Sequence, residues 1–483
     1  MLVMLVPFVA GILLYESYAL PIAAVLGALG VCGLGAWLLI PRNIAWLYTA
    51  TATLLLGYTI AELRAPRPSL DYDTPTRMTL RIESTPAERE GYRTAEGRII
   101  GWEADDVSHR ADDRVTLWIR SDSVGYGDEV TIDGVLKERI SRFESYDRLQ
   151  HRRGRVGGVG ISDRNIISYH TTELRPSLQQ RAIERLSRHV GDTSSYAVVE
   201  AMVAGSRRLM PASLREAYST TGLAHLMAVS GLHLGIVAVV INLLLIPLSF
   251  VRHGHRAANL LTIVALWLFA AMSGMSPSVT RAALMLSILQ LALYSSSRYS
   301  SLNALSATAL LMLVYRPDYL YDISFQLSVL AVAGIILWAL PVMRTTRGLH
   351  GPMRMVVVTL IIGVAATLWT LPLVSYTFGN LPIASIVLTP AVILFAYIII
   401  IAGIATLILP TAIASTTAAI AEWAAGLQNS IVEYAARLPI AELRYTMTEG
   451  EVVLCYATYV AITLLAWGIN RKKVVTLSYD DTE

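Results

Sequence analysis

Between residues 226 and 469 the sequence passes through one apolar run after another, near 226–249, 257–273, 278–295, 302–315, 324–342, 355–377, 382–409, 412–436 and 451–469. Three more stand near 2–20, 22–40 and 44–62. About 20 apolar residues rising roughly 1.5 Å each cross a hydrocarbon core of about 30 Å. Lipid admits only structures whose backbone groups are all paired internally, so runs of this length read as helices. The sequence therefore predicts a polytopic α-helical membrane protein of about twelve spans. Composition agrees: 16% of the residues are charged, against about a quarter in soluble domains. Cys32 and Cys455 both lie inside apolar runs, which leaves no disulfide framework and no metal-binding pair.

Loop charges set the expected orientation. Placing the N-terminus in the cytoplasm puts Arg42, Arg252, Arg256, Arg298, Arg344, Arg347, Arg354, Arg471, Lys472 and Lys473 on that side. The opposite loops beyond the polar region hold Arg316, Arg437 and Arg444. The excess follows the positive-inside rule. It also argues that 412–436 spans despite Glu422 and Glu433, because otherwise the Arg-Lys-Lys tail would face outside. The first run starts at Leu2 without a basic n-region, so it reads as a retained helix and not a cleaved signal. Both termini are then cytoplasmic, in the inner membrane, and the long polar region from about 64 to 221 is external.

That region divides in two. Over 64–175, "MTLRIES" sets Met78, Leu80 and Ile82 on one face, and "RVTLWIR" does the same with Val115, Leu117 and Ile119. Such alternation with turn punctuation predicts a small all-β barrel or sandwich. Over 176–221, "QQRAIERLSRHV" and "SSYAVVEAMVAG" have helical spacing and predict an amphipathic helical linker against the membrane or under the barrel. The expected organisation is thus about three helices in 1–63, the β domain in 64–175, the linker in 176–221, the main helical domain in 222–470 and a tail in 471–483.

Three groups of residues carry chemistry. Near the end of the β domain, "LKERISRFESYDRLQHRRGRVGG" offers Lys137, Arg139, Arg142, Arg148, Arg152, Arg153 and Arg155, interleaved with Phe143 and Tyr146. Cations neutralise a phosphate backbone and rings stack on bases, although the same arginines suit anionic head groups or a plain solvated loop. In the apolar half, Arg281 opens one span and Asp322 precedes another that carries Ser324, Gln326 and Ser328. Ionisable groups at such depth face a watery path or one another, unless they snorkel to the interface. The third group is "GLAHLMAVSGLHLGIV" at 222–237, with His225, Ser230 and His233 among three glycines. Ser230 and His233 share a helix face, and the glycines favour a broken or re-entrant helix over an ordinary span. "AVSGL" lacks the G-x-S-x-G elbow of serine hydrolases. Lysine occurs only at Lys137, Lys472 and Lys473, so arginine supplies nearly all the positive charge, by phosphate-binding preference or by codon bias.

"GLAHLMAVSGLHLGIV" closely resembles the competence-domain signature of ComEC-type DNA-uptake proteins. "REAYSTTG", "SPSVTRAALM" and "NALSATALLMLVYRPDYLYDISFQLSVLAVAGI" follow the family pattern in order, and "FESYDRLQHRRGRVGGVGI" is similar to the end of its N-terminal module. The resemblance implies an OB-like external domain and a competence-type channel over 222–470. It implies passage of single-stranded DNA across the cytoplasmic membrane in natural transformation. His225, Ser230, His233, Arg281, Asp322, Ser324, Gln326 and Ser328 would line the path, Asp322 orienting Arg281. Many relatives continue into a metallo-β-lactamase-like domain with H-x-H-x-D-H. Here His253-Gly-His255 lacks the Asp-His continuation, and "LPIASIVLTPAV" has Ser385 and Thr389 where an asparagine is expected before the proline. No G-x-x-x-x-G-K-[ST] loop occurs. The chain is accordingly expected to be no enzyme and to need no cofactor or metal. Its expected partners are membrane lipid, an outer DNA receptor, a separate nuclease and a cytoplasmic motor or single-strand-binding protein. The rival readings are a membrane enzyme or small-solute transporter capped by the β domain, and an envelope scaffold.

Overall fold

A computed structural model describes the chain apart from residues 1, 19–20, 22–24, 29, 31–44, 66–67, 85, 90, 105–106, 141–146, 148–149, 151–153, 171–176, 208, 228, 253, 295–299, 382, 439–442 and 478–483. The chain forms two compact units. One takes Val3–Arg175 with Leu310–Asp322; the other takes Pro176–Ala309 and Ile323–Glu483, with Met1–Leu2.

In the first unit, helices α1 (Leu2–Ser17) and α2 (Ala45–Arg64) precede a seven-stranded sheet. Its strands are β1 (Pro75–Ile82), β2 (Ala87–Arg89), β3 (Tyr92–Ala104), β4 (Val107–Ile119), β5 (Glu129–Val135), β6 (Arg155–Ile161) and β7 (Ile166–His170). The order is β6-β4-β3-β1-β5-β7, with β2 on β3. All pairings are antiparallel except β4 with β6, which sets Leu117 opposite Val159. A bridge from Lys137 to Gly158 brings the chain leaving β5 onto β6, tying the ends of the sheet toward one another. The alternation read from sequence holds: Met78, Leu80, Ile82, Val115, Leu117 and Ile119 all point into one buried core with Ile99, Ile132 and Val159. Outward positions carry ion pairs instead. Arg98 on β3 bonds Glu83 and Asp112, and these two carboxylates, Glu83 first, raise its pKa further above the ordinary arginine range.

The second unit is helical. Its elements are α3 (Leu178–Ser187), α4 (Thr193–Val203), α5 (Ala212–Thr220), α6 (Gly231–Leu244), α7 (Gly254–Met272), α8 (Pro277–Tyr294), α9 (Ser301–Tyr315, shared between the units), α10 (Ile323–Gly334), α11 (Gly351–Phe378), α12 (Ile383–Ile408), α13 (Thr411–Ala436) and α14 (Glu449–Leu477). After α10 the helix runs on through a π-helical turn at Ile335–Ala339. Among the described residues, five stretches are long and apolar enough to cross a membrane: Gly254–Met272, Ile323–Met343, Val356–Phe378, Ala384–Ile408 and Glu449–Ala466. Val3–Ser17, His233–Leu244, Ser278–Leu291 and Ser301–Tyr315 are apolar but shorter. Most of the run expected at 22–40 lies outside the described residues.

The described residues between 177 and 220 form helices α3, α4 and α5, but α4 has no exposed face. Every residue from Ser195 to Val203 is buried, packed on α12 and α13. On α13 an alanine stripe of Ala414, Ala418, Ala421, Ala424 and Ala425 permits this close approach, while Trp423 and Tyr434 point outward. Glu422, an oddity in an apolar run, accepts hydrogen bonds from the backbone N–H groups of Gly191 (3.1 Å) and Asp192 (2.9 Å).

Asp192 caps α4. Hydrogen bonds from Ser195 first, then Ser194, hold its carboxyl below the usual carboxylate range. A depressed folded-state pKa gives stability that is present above the unfolded value of about 3.9 and lost as pH falls through the folded value. Asp192→Ala is expected to cost about 1 kcal/mol at pH 7, with solvent screening favouring the low end. Thermal unfolding at pH 7 and pH 3 checks this: the wild-type advantage should shrink in acid, and an equal gap at both pH values would contradict it.

Candidate functional site

The glycine-rich stretch is broken. Helix α5 ends at Thr220, and Gly222 takes a left-handed φ of +73° that a side chain would strain. A 3-10 turn follows at Ala224–Met227, and Ser230, in extended conformation, starts α6 at Gly231. Irregular backbone at membrane depth persists only where protein supplies its hydrogen bonds. Here it does so on both sides of the break. His225 donates through Nδ1 to the Gly222 carbonyl at 3.1 Å, and Arg207 donates through Nε to the Met227 carbonyl at 3.0 Å.

Beyond the break, the Ser230 backbone N–H donates to Nδ1 of His233 at 3.1 Å, and the Ser230 hydroxyl lies 2.8 Å from the same atom. Because an amide N–H can only donate, Nδ1 accepts, and a neutral imidazole then carries its proton on Nε2. His233 is 0% exposed, and its Nε2 has no hydrogen-bond partner among the described residues. Arg281, in the first turns of α8, is 3% exposed with Nη1 likewise unpartnered among them. The guanidinium reaches the start of α6: a Cβ at Gly231 would sit 3.9 Å from Nη2 of Arg281 and 3.7 Å from the Cβ of Ala282. His225 is itself exposed, five residues before Ser230.

The structure thus gathers Ser230, His233 and Arg281, with His225 nearby. Asp322 belongs to the other compact unit. On α10, Ser324 is exposed, while Gln326 and Ser328 are half-buried; Asp322 and Gln326 each have partners of their own. In the sheet domain Lys137 and Arg139 are exposed. Arg155 is engaged within the domain by Glu96, Gln150 (2.6 Å) and Thr116 (3.3 Å). Arg142, Phe143, Tyr146, Arg148, Arg152 and Arg153 lie outside the described residues. No group of three His, Cys, Asp or Glu side chains suited to a metal occurs among the described residues.

Sequence reasoning missed two features. Arg207 was hidden in a segment read as linker. A buried polar cluster joins α5 to α13: the Tyr218 hydroxyl donates to Asn429 Oδ1 at 2.9 Å and accepts from Gln428 Nε2 at 2.9 Å. Two adjacent amides within an alanine-rich helix were its only sequence signal.

Residues 202–472, from the end of α4 through the broken segment, Arg281 and most of α14, match the competence protein family. The chain belongs to the competence protein family. Among competence-family relatives it is 29% identical to the ComE operon protein 3 of Bacillus subtilis (strain 168) over 192 residues, covering 40% of this chain and 24% of that protein. An uncharacterized protein of Aquifex aeolicus (strain VF5) is 29% identical over 266 residues, 53% of this chain and 58% of the relative. The chain therefore spans about a quarter of the first relative and somewhat over half of the second. No solved structure matches. The competence match leaves out α1, α2 and the sheet domain.

Proposed function

We propose that this competence-family chain is an integral membrane protein that forms the passage for single-stranded DNA across the cytoplasmic membrane during natural transformation. One observation carries the reading: inside the family-matched region, a broken helix start gathers a buried arginine and a buried imidazole N–H, both without described partners. Donors without a facing ring of acids suit a polymer with one negative charge per nucleotide. About twelve spans result when the shorter apolar helices, the undescribed run near 22–40, α2 and α13 are added to the long stretches, with both termini cytoplasmic in this reading. The sheet domain is OB-like in this reading, supported by its parallel β4–β6 pairing and by the Lys137–Gly158 bridge. It would stand outside and collect the strand through Lys137, Arg139 and the basic, aromatic stretch at 142–153, binding that weakens with salt. Energy and strand degradation would come from separate partners, a cytoplasmic motor or single-strand-binding protein and a nuclease, with a DNA receptor outside.

Disrupting the gene in its host and supplying labelled duplex DNA tests the passage. Nuclease-protected label inside the cytoplasm is expected to vanish, while DNA bound at the cell surface persists. Undiminished internal label would remove the passage role.

A further inference from the structure

We propose that the start of α6 is a binding site for a single phosphodiester, built from the first backbone N–H groups of α6, the Arg281 guanidinium and the Nε2–H of His233. The proposal rests on the DNA-passage reading for its ligand, but its geometry stands apart from it. Three observations support it. Gly231 and Leu232 open the helix, and the first N–H groups of a helix have no carbonyl within it to accept them. Such a terminus favours an anion. Arg281, almost wholly buried, brings a cation to that terminus, and Nη1 has no acceptor among the described residues. His233 is fixed by Ser230 in the tautomer that turns a second donor, Nε2–H, into the protein with nothing described to accept it.

Leaving such donors unmet is costly, most of all for a buried charge, so they call for an acceptor. A phosphate-type oxyanion fits. It is singly charged in a diester, it offers two unesterified oxygens to a guanidinium fork, and it accepts from backbone N–H groups as well. Gly231 supplies the room. A methyl there would meet Arg281 and Ala282 at ordinary contact distance, occupying the gap without forcing either aside. The absent side chain is thus where a phosphate oxygen would approach the helix start. Ser230 is the positioning residue, since it holds the His233 ring through Nδ1 and leaves Nε2 for the ligand.

The test uses the full chain in nanodiscs of zwitterionic lipid, with wild type, Arg281→Gln, Arg281→Lys and Gly231→Ala compared. The probes are a fluorescent single-stranded oligothymidylate, the same length with an uncharged methylphosphonate backbone, and inorganic phosphate as competitor. For wild type, anisotropy should report binding of the charged strand, not of the uncharged one, with displacement by phosphate. Arg281→Gln is expected to weaken binding about tenfold and to lower the salt slope by about one. Arg281→Lys should lose less. Gly231→Ala should lose affinity with an unchanged melting profile, which separates a filled site from a misfolded chain.

If all three variants bind the strand as wild type does, the passage reading stands and this site falls. If the strand is not bound but phosphate is, in an Arg281-dependent way, the anion site stands and the DNA ligand falls. Adding phosphatidylglycerol to the nanodiscs distinguishes the third source. Loss of strand binding only through Arg281-dependent occupation by that lipid would reassign the site to head groups and overturn the proposal.

Discussion

Gly205→Ala is expected to unfold or severely destabilise the helical unit. Gly205 has a left-handed φ of +71°, and an added Cβ would fall directly on the carbonyl of Ser273, in the turn between α7 and α8. The conformational penalty for a non-glycine residue there is about 1–2 kcal/mol. Displacing backbone adds an overpacking cost of about 1–3 kcal/mol. Backbone cannot swing aside as the end of a flexible side chain does, so the total should approach the upper end of the combined range. The turn that would move leads directly into α8 and Arg281. Gly363→Ala on α11 is the control, because nothing lies within 4 Å of its added Cβ. It should be neutral within about 1 kcal/mol. Fluorescence-detected size exclusion and thermal unfolding in detergent measure both. Equal melting temperatures for Gly205→Ala and wild type would refute the crowding argument.

Leu117→Ala should be as damaging to the sheet domain and nearly silent in the helical one. Leu117 lies on the central β4, between Ala95 of β3 and Val159 of β6, and is fully buried. Truncating a buried leucine costs about 2–5 kcal/mol, set by how far the cavity collapses. A domain of this size is stable by only about 5–15 kcal/mol, so the loss is a large fraction. The two cores share no residue: one gathers side chains between Leu70 and Ile161, the other between Ala182 and Val432. Limited proteolysis of the full chain should therefore cut within 70–170 in the variant while the fragment from 176 onward survives. Cleavage spread evenly through both would show one cooperative unit instead of two.

How much of this was legible in the sequence depended on the range of the contact involved. The inward faces of β1 and β4 could be read because strand periodicity is local: Met78, Leu80 and Ile82 alternate with polar residues whatever they pack against. The break at 222–230 was likewise legible, since Gly222, Gly231 and Gly235 weaken a helix by their own chemistry. The burial of α4 was not. "SYAVVEAMV" carries Glu200 and reads as an amphipathic surface helix, and only the alanine stripe more than 200 residues away on α13 makes room to enclose it. The same holds for Tyr218 with Gln428 and Asn429. At the candidate site, the sequence named Ser230, His233 and Arg281 individually. It had no means of showing that a glycine start would bring the guanidinium to the helix terminus, or that Asp322 would belong to another unit.

Arg185 on α3 donates to the carbonyls of Thr406 (3.0 Å) and Leu409, at the bend between α12 and α13, and Glu422 of α13 grips the chain just before α4. Two clips of opposite polarity, one cation on carbonyls and one carboxylate on amides, thus weld 178–203 to the α12–α13 hairpin as a single mechanical piece. Between that piece and α6 the backbone passes through Thr221–Ser230, where the helical ladder is interrupted. Any widening of the helical unit has its cheapest pivot there. The proposed phosphodiester site at the start of α6 adjoins that segment, so gripping and opening would draw on neighbouring stretches of the chain.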